Sequence, residues 1–310
     1  MEMINVIEHG SRAEQPVVRD ARAEEIAARF AGIAPSTVAI GLVLETPSPE
    51  GTLESSGALA FGPEPFDTAV LGLRIGRIVS ASAPHCGGYR ALLAELARRA
   101  RSDGYEQVLR RSGLDNLTEI WALEGAGFEL MDVGVTFART LRGPVAPAVH
   151  EDLTIRPSTD DDIEQIVEAM VRDPWGSRYE SDPAYEAARV RELRTRWLWN
   201  SHRGRADVVL VGVLDGRPAG YVTCRLDHDG NGPGEIELVG TLPGFRGRRV
   251  ASRVLADAVA WFSTRTSAIT VRTQATNIAA ANLYESGGFT LRGSDMTFRL
   301  NLNRRVDEES

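Results

Sequence analysis

A short segment rich in arginine and glycine has the composition of a phosphate-binding turn. It reads Arg246-Gly247-Arg248-Arg249-Val250-Ala251. A predicted strand, EIELVGTL, precedes it, and a predicted helix over residues 252–262 follows, with apolar residues at helical spacing. Backbone amides at a helix N-terminus bind anions, and the helix dipole favours negative charge there. The segment therefore predicts a site for a phosphate-containing ligand.

Three side chains near this turn are suited to proton transfer. Glu235 and Glu237 are two residues apart on the predicted strand, so both side chains lie on the same face of a sheet. Either carboxylate is a candidate general base, and deprotonation through an ordered water is the alternative to both. Tyr284 lies on a later predicted helix. Its phenol is a candidate proton donor or, alternatively, part of the hydrophobic core.

Part of the sequence occurs twice. Residues 116–141 and 277–302 align without gaps, and 8 of 26 positions are identical. Each copy has the pattern of a helix, a Gly-Phe pair and a strand. Gly127 and Gly288 stand where a left-handed residue commonly ends a helix. We therefore predict an α/β fold with a mixed sheet (α+β), used twice in tandem.

The two copies define two predicted domains. Residues 141–157, which include Pro144 and Pro147 and many small residues, are typical of a linker. We expect a helix over residues 21–31 and a turn-rich loop over residues 45–58. The predicted division is a first domain over 1–143, a linker over 144–153, a second domain over 154–302 and a polar tail over 303–310.

Composition restricts the class of protein. The 310 residues are 43% hydrophobic and 25% charged, as in soluble globular proteins, and 35 basic against 43 acidic residues give a net charge of −8. This balance argues against a nucleic-acid partner. No stretch reaches the roughly 18–20 apolar residues of a membrane-spanning helix, and no signal peptide is predicted, so we expect a cytoplasmic protein. Cys86 and Cys224 form no cluster with metal-ligand spacing, and we expect no metal.

These features resemble the GNAT superfamily of N-acetyltransferases. That family has the motif Gln/Arg-x-x-Gly-x-Gly/Ala between a strand and a helix, which residues 246–251 match except for Arg249, where glycine is usual. A second family block, Asn-x-x-Ala-x-x-x-Tyr-x-x-x-Gly-Phe, is met in full by Asn277, Ala280, Tyr284, Gly288 and Phe289.

The resemblance implies that the second domain uses acetyl-coenzyme A as co-substrate. The turn would hold the pyrophosphate, and the preceding strand would hold the pantetheine and polarise the thioester carbonyl. Tyr284 is at the family's general-acid position and would protonate the departing thiolate, because the ordinary pKa values of a phenol and a thiol are about 10 and 8.5. The implied coenzyme-binding residues are Leu238, Val239, Gly240, Thr241, Arg246, Gly247, Arg248, Arg249, Val250, Ala251, Ser252, Asn277 and Ala280.

The first copy lacks these features. Leu123 stands at the position of Tyr284, and the counterpart of the phosphate turn, PHCGGYRA at residues 84–91, has no arginine cluster. We therefore expect one active site, in the second domain, and a degenerate, structural first domain. At Arg249, glycine would permit close backbone approach, so the arginine side chain must point away from the ligand.

Within the superfamily the chain resembles the TDP-fucosamine acetyltransferases, which acetylate the 4-amino group of a TDP-linked deoxysugar. The resemblance rests on residues 273–280 (TQATNIAA), on 66–78 and on 177–179. It implies a nucleotide-linked amino sugar as acceptor, bound by Trp175, Arg178 and Tyr179, and a possible homodimer. The alternatives are another small amine, such as an antibiotic, polyamine or amino acid, and a coenzyme A-binding module without catalysis.

Overall fold

The computed structural model describes residues 16–48, 50, 52–148, 150–172, 178–228 and 232–303. The strands are β1 (Val17–Asp20), β2 (Ile40–Pro47), β3 (Leu53–Pro63), β4 (Ile75–Ser82), β5 (Gln107–Gly113), β6 (Glu129–Thr140), β7 (Leu153–Pro157), β8 (Val208–Leu214), β9 (Arg217–Arg225), β10 (Gly234–Thr241), β11 (Ala268–Gln274) and β12 (Thr290–Asn301). The helices are α1 (Ala23–Arg29), α2 (Pro65–Leu71), α3 (Cys86–Ser102), α4 (Leu117–Gly125), α5 (Asp160–Arg172), α6 (Arg178–Ser181), α7 (Ala187–Asn200), α8 (Val250–Ser263) and α9 (Ile278–Ser286).

The two repeated blocks form the predicted helix, Gly-Phe pair and strand. Asn116 and Asn277 are the N-caps of α4 and α9, and each side chain accepts a hydrogen bond from the amide three residues later, at 3.2 and 3.1 Å. Gly127 and Gly288 end these helices with φ angles of 82° and 78°. The left-handed C-caps are confirmed, and the shared asparagine is explained by helix capping.

The described residues form two compact units whose boundaries cut across the two copies. The first unit contains residues 16–68, 73–130 and 298–303, and the second contains 69–72 and 131–297 within the described ranges. Most of β6 therefore belongs to the second unit, and the end of β12 belongs to the first. The linker at 144–153 stays a predicted boundary.

In the second unit the strand order is β6-β11-β10-β9-β8-β7. Only β10 and β11 are parallel, and the other neighbours are antiparallel. β6 pairs with β11 from Thr140 opposite Ala268 to Gly134 opposite Gln274. The first repeat thus supplies its last strand to the second unit, which local sequence patterns do not predict.

The first unit has the order β1-β2-β3-β4-β5, in which only β4 and β5 are parallel. The end of β12 lies beside β5. Arg299 forms an ion pair with Glu129 at 2.6 Å, and the Leu302 amide donates to the Glu106 carbonyl at 2.8 Å. The second repeat therefore completes the first unit, as the first repeat completes the second.

The predicted loop over residues 45–58 is wrong. β2 continues to Pro47 and β3 begins at Leu53, and the strands pair with Thr46 opposite Glu54. The turn-forming residues occupy only the tip of this hairpin. The polar residues that suggested a loop form the solvent-exposed end of β3.

Hydrophobic layers cover both faces of the sheet in the second unit. Val222 of β9 packs in the cluster formed with α8 and α9, whereas the adjacent Tyr221 packs in the cluster formed with α5 and α7. Successive strand residues point to opposite faces, so these clusters lie on opposite sides of the sheet. No helix among the described residues combines the length and apolar character needed to cross a membrane.

Candidate active site

The predicted phosphate turn leads directly into α8. The backbone is left-handed at Gly244, Gly247 and Arg249, with φ angles of 85°, 78° and 59°. The helix begins at Val250 without a side-chain cap, and among the described residues no protein group accepts from the amides of residues 250–252. These amides are therefore available to an anion at the positive end of the helix dipole.

Arg249 takes the conformation for which glycine is best suited. Its φ and ψ angles are 59° and 23°. For a residue with a Cβ atom this conformation costs roughly 1–2 kcal/mol, which explains the usual glycine of the family motif. The side chains of Arg246, Arg248 and Arg249 are all exposed. Arg249 therefore differs from the family motif, but its side chain does not occupy the turn.

The parallel ladder between β10 and β11 is short. It runs from Gly234 opposite Ile269 to Ile236 opposite Val271 and ends there. A bulge in β10 follows, where residues 237 and 238 together face one residue of β9. The Leu238 amide donates to the Thr223 hydroxyl at 2.9 Å. The two parallel strands are therefore free to separate beyond Ile236.

A cleft of about 220 Å³ lies where this ladder ends. It brings together the predicted acid, one predicted base, four predicted coenzyme-binding residues and two predicted substrate-binding residues. Gly240 and Thr241 do not line it, and they continue β10 opposite β9. The lining residues are Asp132, Arg178, Tyr179, Trp197, Glu237, Leu238, Val239, Arg272, Thr273, Gln274, Asn277, Ala280 and Tyr284.

Tyr284 reaches the cleft from α9 although only 3% of its surface is exposed. Its ring packs against Phe137 and Phe289, with ring centres 5.7 and 6.1 Å away. Burial raises the pKa of the phenol above its usual value of about 10, because the anion would lose its hydration. Among the described residues no protein group is hydrogen-bonded to its hydroxyl, which is therefore neutral and available to a ligand.

The two predicted bases have different surroundings. Glu237 lines the cleft; Arg205 Nη2 donates to its Oε1 at 3.0 Å, and Arg225 Nε lies 3.3 Å from the same oxygen. Glu235 forms an ion pair with Arg225 and lines a separate depression. The shared contact with Arg225 agrees with the predicted common face, and of the two glutamates only Glu237 lines the same cleft as Tyr284.

An aromatic group closes the side of the cleft formed by α6 and α7. Arg178 lies over the Tyr179 ring at 4.5 Å, and its Nη2 donates to the Tyr179 hydroxyl at 2.7 Å. The Trp197 ring meets Tyr179 edge-on, with centres 5.6 Å apart. Trp197 was not among the predicted substrate-binding residues. Trp175, the third predicted substrate residue, lies outside the described residues.

Several lining residues were not predicted. Thr273 and Gln274 stand directly before the Asn277 block, so their place near the site was open to inference from sequence. Asp132 had no such signal. It lies on β6, which belongs to the second unit only because it pairs with β11. Among the described residues no group of three His, Cys, Asp or Glu side chains is placed to hold a metal ion.

The corresponding parts of the first repeat are occupied by its own side chains. The first turn of α3 is capped by His85, whose Nδ1 accepts from the Gly88 amide at 3.1 Å. Where the β4–β5 ladder ends, at Ile78 opposite Arg110, Arg110 Nη1 donates to the carbonyls of Ile78 and Val79, both at 3.2 Å.

Arg110 is fixed in this place by a buried carboxylate. Its Nε and Nη2 donate to Glu119 at 2.7 and 3.1 Å, and the Glu119 residue is 2% exposed. In the second repeat the aligned residues are Val271 and Ala280, which leave the equivalent space open as the cleft.

Comparison with known proteins identifies the class. Residues 167–289 match the acetyltransferase (GNAT) family. This part of the chain is therefore similar to the GNAT acetyltransferases, as its motifs predicted, and proteins of that family use acetyl-CoA as donor. The matched residues include the turn, the cleft residues of β10 and β11, and Tyr284.

Individual relatives agree with this assignment. The chain is 34% identical over 135 residues to the spore coat polysaccharide biosynthesis protein SpsD of Bacillus subtilis, an alignment covering 43% of this chain and 45% of that protein. The chain thus spans about half the length of this curated relative.

Two solved structures share the fold over nearly the whole chain. A GCN5-related N-acetyltransferase from Sphaerobacter thermophilus has a TM-score of 0.61 at 17% identity, covering 95% of this chain and 98% of that one. A tandem GNAT protein from the clavulanic acid biosynthesis pathway has a TM-score of 0.58 at 15% identity, covering 91% and 88%. The predicted tandem GNAT fold is confirmed.

Proposed function

We propose that the second domain, over residues 154–302, transfers an acetyl or short acyl group from coenzyme A to a primary amine. One observation carries the proposal: the uncapped start of α8, the end of the β10–β11 ladder and the Tyr284 phenol all adjoin strand β10. A pyrophosphate at the α8 amides would leave the pantetheine to follow Leu238 and Val239. The thioester would then lie near Tyr284.

The reaction needs no covalent intermediate with the protein. The amine nitrogen attacks the thioester carbonyl, the C–S bond breaks, and the coenzyme leaves as a thiolate. Tyr284 donates its proton to that sulfur. The raised pKa keeps this phenol protonated but also makes it a weaker acid, so a strong hydrogen bond to the thiolate is the alternative to full proton transfer.

The attacking nitrogen must first lose a proton. Of the two predicted bases we favour Glu237, because it shares the cleft with Tyr284 whereas Glu235 does not. Its ion pairs with Arg205 and Arg225 hold the carboxylate in a fixed position. The proton would pass from the amine to solvent through this group or through a neighbouring water.

The preferred acceptor in this proposal is a nucleotide-linked amino sugar. The aromatic group of Tyr179 and Trp197 offers apolar surface to a sugar or base, and Arg178 adds positive charge for a diphosphate. The similarity to a protein named for polysaccharide biosynthesis also favours a sugar. Another small amine is the alternative.

Thiol release from acetyl-CoA tests the function. Purified protein is assayed with TDP-amino sugars, free amino sugars, aminoglycosides and polyamines. We expect turnover that requires the nucleotide diphosphate. Turnover of free amines alone would reject the proposed acceptor. Binding of acetyl-CoA without turnover of any amine would reject the enzyme in favour of a coenzyme-binding module.

We also propose that the chain binds one coenzyme molecule, in the domain over residues 154–302. In the domain over residues 1–143, the Arg110–Glu119 pair fills the corresponding groove and donates to the carbonyls that a pantetheine would need. Isothermal titration with acetyl-CoA should give one site per chain, and Arg246→Ala should weaken it. A second site unaffected by Arg246→Ala would contradict this.

A further inference from the structure

Asp132 is a buried carboxylate that the first repeat places in the cleft of the second. It lies on β6, within the second unit, and only 6% of its side chain is exposed. The aligned residue of the second repeat is Gly293. Asp132 is therefore a feature of this one strand position and not a shared element of the repeat.

The other charged groups lining the cleft have closer partners than Asp132 does. Arg272 donates to Asp295 with both Nε and Nη2, at 2.9 and 2.6 Å, and it lies 3.6 Å from Asp132. Glu237 is held by Arg205 and Arg225, and Arg178 bonds Tyr179.

The partners of Asp132 among the described residues are weak. Gln274 Nε2 donates to Oδ1 at 3.2 Å. The guanidinium of Arg272 lies 3.6 Å from Oδ2, beyond hydrogen-bond distance. A buried carboxylate is costly unless a cation or several donors compensate its charge. Oδ2 therefore retains capacity for a cationic donor that enters the cleft.

We propose that Asp132 is a specificity-determining residue that binds the ammonium group of the acceptor before acyl transfer. The inference rests on the proposed function and names its substrate class more closely: an amine that arrives protonated. An amine with a pKa near that of lysine, about 10.4, is an ammonium at neutral pH. Asp132 would hold this ammonium on the same side of the sheet as Tyr179 and Trp197, and Glu237 or water would then remove a proton.

The test compares Asp132→Asn with Asp295→Asn, using a TDP-linked 4-amino-deoxysugar as probe at saturating acetyl-CoA. Asparagine keeps the size of the side chain and the contact with Gln274 but removes the charge. Asp295→Asn is the matched control, because Asp295 is the main partner of Arg272 and does not line the cleft. A role limited to holding Arg272 would therefore show more strongly at Asp295.

We expect Asp132→Asn to raise KM for the TDP-linked sugar about tenfold or more, with a smaller change in kcat and an unchanged Kd for acetyl-CoA. Asp132→Glu should recover part of the loss. An unchanged KM in Asp132→Asn, or an equal rise in Asp295→Asn, would overturn the inference while leaving the proposed function intact. Failure of the wild-type protein to acetylate any amine of the panel would overturn both.

Discussion

Tyr284 and Leu123 occupy the same position in two related helices, and both are buried. Burial alone therefore does not distinguish a catalytic side chain from a core side chain at this position. The hydroxyl does, because it reaches the cleft without a protein partner among the described residues. In the first repeat a leucine fills the same place, beside a groove closed by Arg110.

Replacing Tyr284 by phenylalanine tests the acid. The ring contacts with Phe137 and Phe289 remain, so we expect a fall in kcat of about a hundredfold with little change in the Kd of acetyl-CoA. Tyr89→Phe, a buried tyrosine of the first repeat, is the control and should keep full turnover. Normal turnover in Tyr284→Phe would remove the acid assignment.

The raised pKa of Tyr284 also predicts a pH profile. The proton donor is the neutral phenol, and its folded-state pKa lies above the usual value of about 10. The donor is thus fully protonated below that value and is lost only as the pH rises through the higher folded pKa. The wild-type kcat should show no loss assignable to Tyr284 up to about pH 10, and a Tyr284-dependent decline centred near neutral pH would contradict this.

The left-handed conformation of Arg249 predicts that glycine at this position increases the free energy of unfolding. Arg249→Gly removes the left-handed strain of roughly 1–2 kcal/mol and adds a glycine entropy cost of roughly 0.5–1 kcal/mol. We expect a free energy of unfolding up to about 1 kcal/mol higher in denaturant titration. Arg249→Ala loses the same side chain but keeps the strain, so it should show no gain; equal effects of the two variants would refute the strain argument.

At the scale of elements, β6 and β12 carry an aspartate and a glycine in opposite order at two aligned positions. β6 carries Asp132 and Gly134, where β12 has Gly293 and Asp295 at the aligned positions. Gly134 leaves room for the Arg272 side chain, since a Cβ atom there would stand 1.8 Å from its Nη2. The missing side chain on one strand therefore allows the Arg272–Asp295 ion pair on the same face.

Alanine at these two glycines gives a matched pair. Gly134→Ala would displace Arg272, and we expect a loss of about 1–3 kcal/mol in the free energy of unfolding. Gly293→Ala meets open space, with no atom within 4 Å, and should change stability little. Thermal unfolding of both variants checks this, and equal stabilities would show that Arg272 moves aside without cost.

At the scale of the whole molecule, each compact unit is built from both repeats. The second unit needs residues 131–140, which pair with β11, and the first unit includes residues 298–303. A fragment that begins at residue 144 therefore exposes the edge of β11, and unpaired edges promote aggregation.

We expect a fragment over residues 144–310 to aggregate or to unfold without a cooperative transition. A fragment over 131–310 keeps β6 and should be more soluble, with measurable binding of acetyl-CoA. Size-exclusion chromatography and calorimetry would compare them. Equal solubility and coenzyme binding of the two fragments would show that β6 is dispensable to the second unit.

The sequence by itself determined the local chemistry of this protein. Asn277 and Gly288 each act within a few residues, so their cap conformations follow from residue type and spacing. The phosphate turn and the Tyr284 block are both legible in the second half of the chain, and the repeat alignment already placed Leu123 at the position of Tyr284.

Only the tertiary structure decided which strands lie side by side. Both copies carry the same helix, Gly-Phe and strand pattern, so no local sequence feature specifies that β6 pairs with β11. For that reason the sequence did not predict that Asp132 lines the cleft. Nor did it predict that Glu237 lines the cleft while Glu235 does not. Each depends on partners far away in the chain, whose meeting is set by strand pairing and burial across the whole sheet.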